Sequence, residues 1–413
     1  MQPPVCTSEG SQRSETLTSE PSPGSPEAPR AARVGRAPRI AILGSRGIPA
    51  RYGGFETFVD ELARRLVRRG VEVTVFCEAQ DDRRSSEYEG VQLVYVPCRA
   101  PGPARTIAYD VSCLWRACRG FDVVYMLGYG ASFACLLPRL FGTRVWINMD
   151  GLEWRRSKWS APARLWLKIM EGIAARSATR LILDNAALAD ELRGRRRLGC
   201  FSVLEYGAPI VRERLDPARL SELGVAPGEY YLVVCRFEPE NHVLEIARAC
   251  AQARLERPLL VVANKDVGSG YARRTLALES RQVRFVGTIF DPDLLLPLRQ
   301  HCRAYLHGHS VGGTNPSLLE AMGCGNLVVA HDNPFNRETL GQAGLYFDGV
   351  EELGARLCEC EELEPEELAA RREAVLARME ERYTWDLIAD RYQQLILEEV
   401  GPELAAAARR ESP

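Results

Sequence analysis

Short apolar runs alternate with amphipathic stretches of helical period along this chain, and the alternation starts twice. Arg39–Leu43, Val71–Cys77, Val91–Val96, Val123–Leu127, Val145–Met149, Arg180–Leu183 and Phe201–Leu204 read as strands, with helices between them beginning at Phe55–Arg69. Tyr206-Gly207-Ala208-Pro209 interrupts the pattern, and a polar stretch follows. It resumes with strands at Tyr231–Cys235, Leu259–Ala263, Val283–Val286, Ala304–Leu306 and Leu327–Ala330, and with a helix at Asn241–Arg254. Three helical stretches close the chain at Glu351–Glu361, Pro365–Glu381 and Trp385–Val400. Such alternation predicts an α/β protein of two Rossmann-like, doubly wound parallel sheets, which bind ligands beyond the carboxyl ends of their strands. The boundaries expected are a tail at 1–37, a first domain at 38–208, a second at 209–384, a helix at 385–400 and a tail at 401–413. The first tail is rich in Ser, Pro, Glu and Gly, a composition that cannot bury enough surface to order itself.

Composition excludes several classes. A net charge of -2 over 413 residues gives no global field toward nucleic acid. No apolar run is long enough to span a bilayer, and the start lacks the pattern of a signal peptide. The 13 cysteines are scattered singly, which predicts free thiols in a reducing, cytoplasmic setting.

The chemistry concentrates in His307–Asn326. Gly312 and Gly313 allow a tight turn and close backbone approach to a ligand. Asn315 suits an N-cap, Pro316 the first helical position and Gly325 the helix end. With Thr314, this helix start offers free N–H groups and a partial positive charge to a phosphate. Glu320, one turn further in, is placed for a ribose hydroxyl. Arg236 closes the first strand of the second domain and can hold a diphosphate, or pair with Glu238 or Glu240. His309, at the mouth of the turn, is the histidine suited to a substrate hydrogen bond. His307 and His309 are expected to splay apart, and no metal site is expected. In the first domain, Gly53 and Gly54 precede a helix and form an N–H cluster, with Glu56 as helix stabiliser or ligand. The spacing Gly44-x-x-Gly47 does not match a dinucleotide fingerprint. Asp150 and Glu153 follow a strand end at the cleft. The basic and aromatic run from Trp154 to Trp166 suits either a membrane interface or a packed helix with solvated cations.

Taken together these stretches resemble the retaining, nucleotide-sugar-dependent glycosyltransferases of the GT-B fold, family 4. They are closer still to a bacterial rhamnosyltransferase-like branch of capsule and exopolysaccharide synthesis. The likeness rests on Gly-Ile-Pro-Ala-Arg-Tyr-Gly-Gly-Phe-Glu-Thr-Phe-Val (47–59), Asp-Gly-Leu-Glu-Trp-Arg-Arg (150–156) and Arg-Phe-Glu-Pro-Glu-Asn (236–241). It also rests on Gly-His-Ser-Val-Gly-Gly-Thr-Asn-Pro-Ser-Leu-Leu-Glu-Ala-Met (308–322) and His-Asp-Asn-Pro-Phe-Asn-Arg-Glu (331–338). The resemblance implies two domains facing across a cleft, with Arg236, Glu320 and His309 as catalytic residues. It implies donor binding by Gly53, Gly54, Asn241, Gly312, Gly313, Thr314 and Asn315, and acceptor binding at Asp150 and Glu153. The helix around Trp385 resembles one that crosses back to brace the first domain. Two positions depart from the wider family: Gly312 stands where the first of two glutamates is expected, and Asn241 where a lysine is. Arg46 or Arg51 then becomes a candidate for the diphosphate. The implied activity is transfer of a sugar from a nucleotide donor, with dTDP-rhamnose as one donor, to a lipid-linked saccharide, without a cofactor. Peripheral membrane contact is implied with it. Another GT-B sugar-nucleotide enzyme, such as an epimerase or phosphorylase, and a non-catalytic nucleotide-sugar scaffold remain as alternatives.

Overall fold

In the computed structural model, two sheets form the two halves of the molecule. The structure describes residues 36–411 apart from 51–52, 80–84, 99, 101–103, 254 and 266–267. The tail at 1–37 therefore falls almost wholly outside the described residues, as does Arg51.

The first sheet comprises β1 (Arg39–Leu43), β2 (Glu72–Glu78), β3 (Glu87–Tyr88), β4 (Val91–Val96), β5 (Val123–Leu127), β6 (Arg144–Asn148), β7 (Arg180–Leu183) and β8 (Phe201–Val203). Their order is β3-β4-β2-β1-β5-β6-β7-β8. Every pair is parallel except β3 with β4. The second comprises β9 (Tyr231–Val234), β10 (Leu259–Val262), β11 (Val283–Gly287), β12 (Tyr305–His307), β13 (Val328–His331) and β14 (Leu345–Phe347). It is parallel throughout, in the order β11-β10-β9-β12-β13-β14. In each sheet the order reverses beside the first strand, and such a switch point opens a crevice at the carboxyl ends. The short edge strands β3 and β14 carry too few residues to stand out as apolar runs.

One apolar cluster runs through both halves. It takes Ile40, Phe58 and Tyr125 from the first, Leu318 and Met322 from the second, and Trp385 and Tyr392 from the closing helix. That helix, Trp385–Glu411, crosses back over the first sheet. Tyr392 Oη meets Tyr125 Oη at 2.8 Å, and Trp146 Nε1 donates to Glu399 at 2.9 Å. The sequence pattern ends this helix at Val400. It instead continues through Pro402, because Leu404 still packs on the core and Glu403 pairs with Arg144 at 2.6 Å. Among the described residues no helix is long and apolar enough to cross a membrane.

Trp385 sits where the helix begins, 8% exposed, against Phe58 and against Gly207 of the connecting segment. Trp385→Ala is expected to destabilise the protein by ~3–5 kcal/mol through the cavity it leaves, as measured by denaturant unfolding.

Candidate active site

The carboxyl ends of both sheets converge on one cavity of about 250 Å³. From the first domain its lining takes Gly54 and Glu56, the loop after β6 with Asp150 and Arg156, and Asp184 after β7. From the second it takes His309 to Pro316 after β12, with Phe335 and Asn336. At roughly 30 Å³ per water, this space holds about eight waters, of the order of one sugar ring.

Two glycine-led helix starts form opposing walls. Gly53 precedes the helix Gly54–Arg68 at φ 121, a conformation that favours glycine, and a Cβ there would strike the Glu56 carboxylate. Glu56 accepts from the Arg46 amide at 3.1 Å, so it closes the preceding turn as well as lining the cavity. Opposite stands the helix Pro316–Gly323. Asn315 caps it by accepting from the Ser317 amide at 2.9 Å, as the sequence predicts. A Cβ on Gly54 would lie 3.6 Å from the Pro316 ring, so the two starts face each other across the domain boundary.

The halves also touch directly. Asp150 and Gly151 take left-handed φ values of 38 and 67. A Cβ on Gly151 would stand 2.7 Å from the Gly312 Cα. Thr314 Oγ1 donates to the Asp184 carbonyl, Asn185 Nδ2 donates to the Phe335 carbonyl at 3.3 Å, and Ser157 Oγ donates to Glu240 at 2.7 Å. A hydrogen-bonded chain supports the loop from behind. Asp150 N donates to Asn148 Oδ1 at 2.8 Å, and Asn148 Nδ2 donates to Tyr125 Oη at 3.1 Å, which meets Tyr392.

Burial dominates the electrostatics. It pushes the Asp150 carboxyl up to about 6, against the opposing charges of Arg156, Lys158 and Arg236. It pushes Asp184 up to about 8, with the nearby Asp150 charge adding to the effect and the Thr314 amide opposing it. His309 is held down to about 3 by burial and by the charges of Arg156 and Arg236, so its ring is neutral. His307 and His309 do not splay apart. Their rings stack at 4.5 Å and 10°, because residues two apart at a strand end share a face.

The expected site residues divide into two sets. Asp150, His309, Gly312, Gly313, Thr314, Asn315 and Gly54 line the cavity, with Gly53 directly behind. Arg236, Glu320, Asn241 and Glu153 do not. Arg236 is exposed just beyond β9 and has no ion pair among the described residues, though its charge reaches Asp150 and His309. The alternative pairing with Glu238 or Glu240 is not formed. Glu320 is held by the buried Arg299 at 2.6 Å and stays 39% exposed. Asn241 instead donates to the Arg236 carbonyl at 2.9 Å, bracing the arginine's loop. Glu153 joins Arg156 and Lys158, each at 2.7 Å, and accepts from Trp159 Nε1, so it stabilises its own loop. Sequence pattern does not single out Asp184, Arg156, Phe335 or Asn336. For Asp184 a signal existed: an acid directly after a strand's carboxyl end in a doubly wound sheet.

With this geometry in place, likeness to known proteins becomes informative. Residues 38–209 match a domain of unknown function, DUF1972. Residues 228–362 match glycosyl transferases group 1. Among curated proteins none matches the chain. The frame is GT-B, as in sucrose-phosphate synthase from Thermosynechococcus elongatus, at TM-score 0.72 and 18% identity, covering 89% of this chain and 100% of that one. HepE from Anabaena, in complex with UDP and glucose, is similar at TM-score 0.67 and 17% identity, covering 87% and 99%. A glycosyltransferase from Rickettsia africae is similar at TM-score 0.68 and 12% identity, covering 88% and 99%. The chain is thus a glycosyltransferase by class, with the transferase domain facing the DUF1972 domain across the cavity.

Both raised carboxyls favour the native state when protonated. That contribution is full below the unfolded value near 3.8 and is lost as pH rises toward about 6 for Asp150 and about 8 for Asp184. Asp184→Asn removes the second loss. The thermal midpoint of this variant relative to the unaltered protein is expected to climb between pH 5 and 8, by thermal melts across roughly that range.

Proposed function

We propose that this protein moves a hexosyl group from a nucleoside diphosphate sugar to a saccharide acceptor with retention of configuration. The observation that carries the reading is the cavity of sugar-ring size between two facing helix starts, with an uncompensated arginine beyond its rim. Solved neighbours support a sugar nucleotide: Anabaena HepE is recorded with UDP-glucose, and an E. coli trehalose-6-phosphate protein with UDP-2-fluoro glucose. In this reading the bond from the sugar's anomeric carbon to the diphosphate breaks, and a bond from that carbon to the acceptor oxygen forms on the same face. The acceptor's proton passes to the leaving diphosphate oxygen. Arg236 and the N–H groups at Thr314–Ser317 stabilise the charge that develops. Glu320, oriented by Arg299, takes the ribose hydroxyls. Asp150 accepts a hydrogen bond from the acceptor hydroxyl. Contacts across the boundary exclude water and limit hydrolysis.

The finer reading is dTDP-rhamnose as donor and a lipid-linked saccharide acceptor in surface polysaccharide synthesis. The apolar rings of Phe55 and Phe335 in the lining suit the methyl group of a 6-deoxy sugar. An exposed apolar patch supports the lipid-linked acceptor. Trp154 and Trp159 are packed, and their ring nitrogens donate to Glu171 and Glu153. Leu165, Trp166 and Ile169 of the helix Ala161–Ser177 are instead exposed, beside Phe133. Residues 132–142 and 161–170 carry Arg139, Arg164 and Lys168 and no acidic residue, which fits an anionic bilayer surface.

Incubation with dTDP-, UDP- and GDP-sugars and a prenyl-diphosphate-linked saccharide, with product mass as readout, tests the activity. Arg236→Ala is expected to lower transfer by ~100-fold or more. Glu320→Gln is the cleaner ribose variant, because alanine would strand the buried Arg299. An active Glu320→Gln enzyme with unchanged donor affinity overturns the ribose role. Replacing Leu165, Trp166 and Ile169 together by serine is expected to abolish flotation with anionic vesicles while transfer to a water-soluble acceptor persists.

A further inference from the structure

One side chain in the cavity has a state that the fold alone does not explain. Asp184 is 2% exposed, and its Oδ1 has no hydrogen-bond partner. The Thr314 amide supports the carboxyl, yet a buried oxygen left unpaired is costly and persists where something else requires it. Its backbone carbonyl is anchored across the domain boundary by Thr314 Oγ1. Its carboxyl is pressed against the glycine turn, since a Cβ on Gly313 would collide with Oδ1. The acid from the first domain therefore stands where the second domain presents Gly312 and Gly313, which have no side chain to offer. Asp184, Gly312 and Gly313 line the same cavity.

The neighbouring groups define what fits. His309 Nδ1 is also without a partner and its ring is neutral. Asp150 faces the same space. Asp184 retains its proton near neutral pH, so it can donate as well as accept. A carboxyl that donates and accepts, a neutral imidazole and a carboxylate together match a ring bearing several hydroxyls, each of which donates and accepts. Arg156, in the same lining, is already paired with Glu153 at 2.7 Å.

We propose that Asp184 reads the transferred sugar: its Oδ1 reaches over from the first domain and hydrogen-bonds a hydroxyl of the hexosyl ring of the donor. The inference rests on the sugar-nucleotide reading above. It makes the first domain a determinant of donor choice, and it gives Gly313 a reason to be glycine, since any side chain there would displace the carboxyl.

Calorimetric titration of the full chain separates the possibilities. The ligands are UDP, dTDP and GDP, each compared with its sugar-bearing counterpart, and the variants are Asp184→Ala and Asp184→Asn. The preferred nucleoside diphosphate is expected to bind all forms within about twofold, while the sugar nucleotide binds Asp184→Ala ~10-fold more weakly. Asp184→Asn, of the same shape, is expected to lose about threefold and serves if the alanine variant does not fold. A single cooperative thermal transition at pH 8 identifies a folded variant. Equal loss of diphosphate and sugar-nucleotide affinity overturns the proposal in favour of a structural role. Unchanged affinity for both overturns it outright. If the unaltered protein binds neither class, the sugar-nucleotide reading falls first and this one with it.

Discussion

The bare backbone contact between Gly151 and the Gly312–Gly313 turn is the constraint on which the cleft depends. It brings the loop after β6 and the loop after β12 to within van der Waals distance. Only at that separation can Thr314 reach the Asp184 carbonyl and Asn185 reach Phe335. A single methyl at Gly151 would meet main chain that has no side chain to move aside, at a φ that L residues rarely adopt. The domains would be held apart, and the cavity would open to water.

Support for that contact comes from the opposite end of the sequence. The closing helix places Tyr392 on Tyr125, Tyr125 on Asn148, and Asn148 on the amide of Asp150. Each member is a buried polar group whose partner is another member, so the line holds the loop in one position. The same helix clamps the connecting segment at Gly207 and binds the first sheet through Trp146 and Arg144. Core, connector and site loop therefore form one mechanical unit.

Inside the cavity, burial acts on three titratable groups in the direction that removes charge. Asp150 and Asp184 are raised, and His309 is lowered. Arg156, also in the lining, keeps its charge and pairs with Glu153 at 2.7 Å. Arg236, which has no ion pair among the described residues, stands outside that space. The diphosphate and sugar contacts proposed above would thus lie a few residues apart at the ends of β9 and β12.

Much of this architecture was legible in the residues. Apolar strand runs and glycine turns are local patterns set by backbone sterics, so both sheets and both helix starts could be placed. Asn315 as cap follows from the same local rules, while Gly54 as opposing wall was implied by the family resemblance. The roles of Asn241 and Glu153 were not legible. Asn241 braces the Arg236 loop and Glu153 neutralises its own loop's cations, and each choice depends on which neighbour lies nearer in space. The stacking of His307 on His309 and the run of the last helix past Pro402 were likewise decided by packing. Asp184 shows the division plainly. By itself the sequence determined that an acid follows β7 and that two glycines follow β12. Only the tertiary structure set that acid against those glycines and left its oxygen unpaired, because long-range burial, not local pattern, decides what a buried polar group meets.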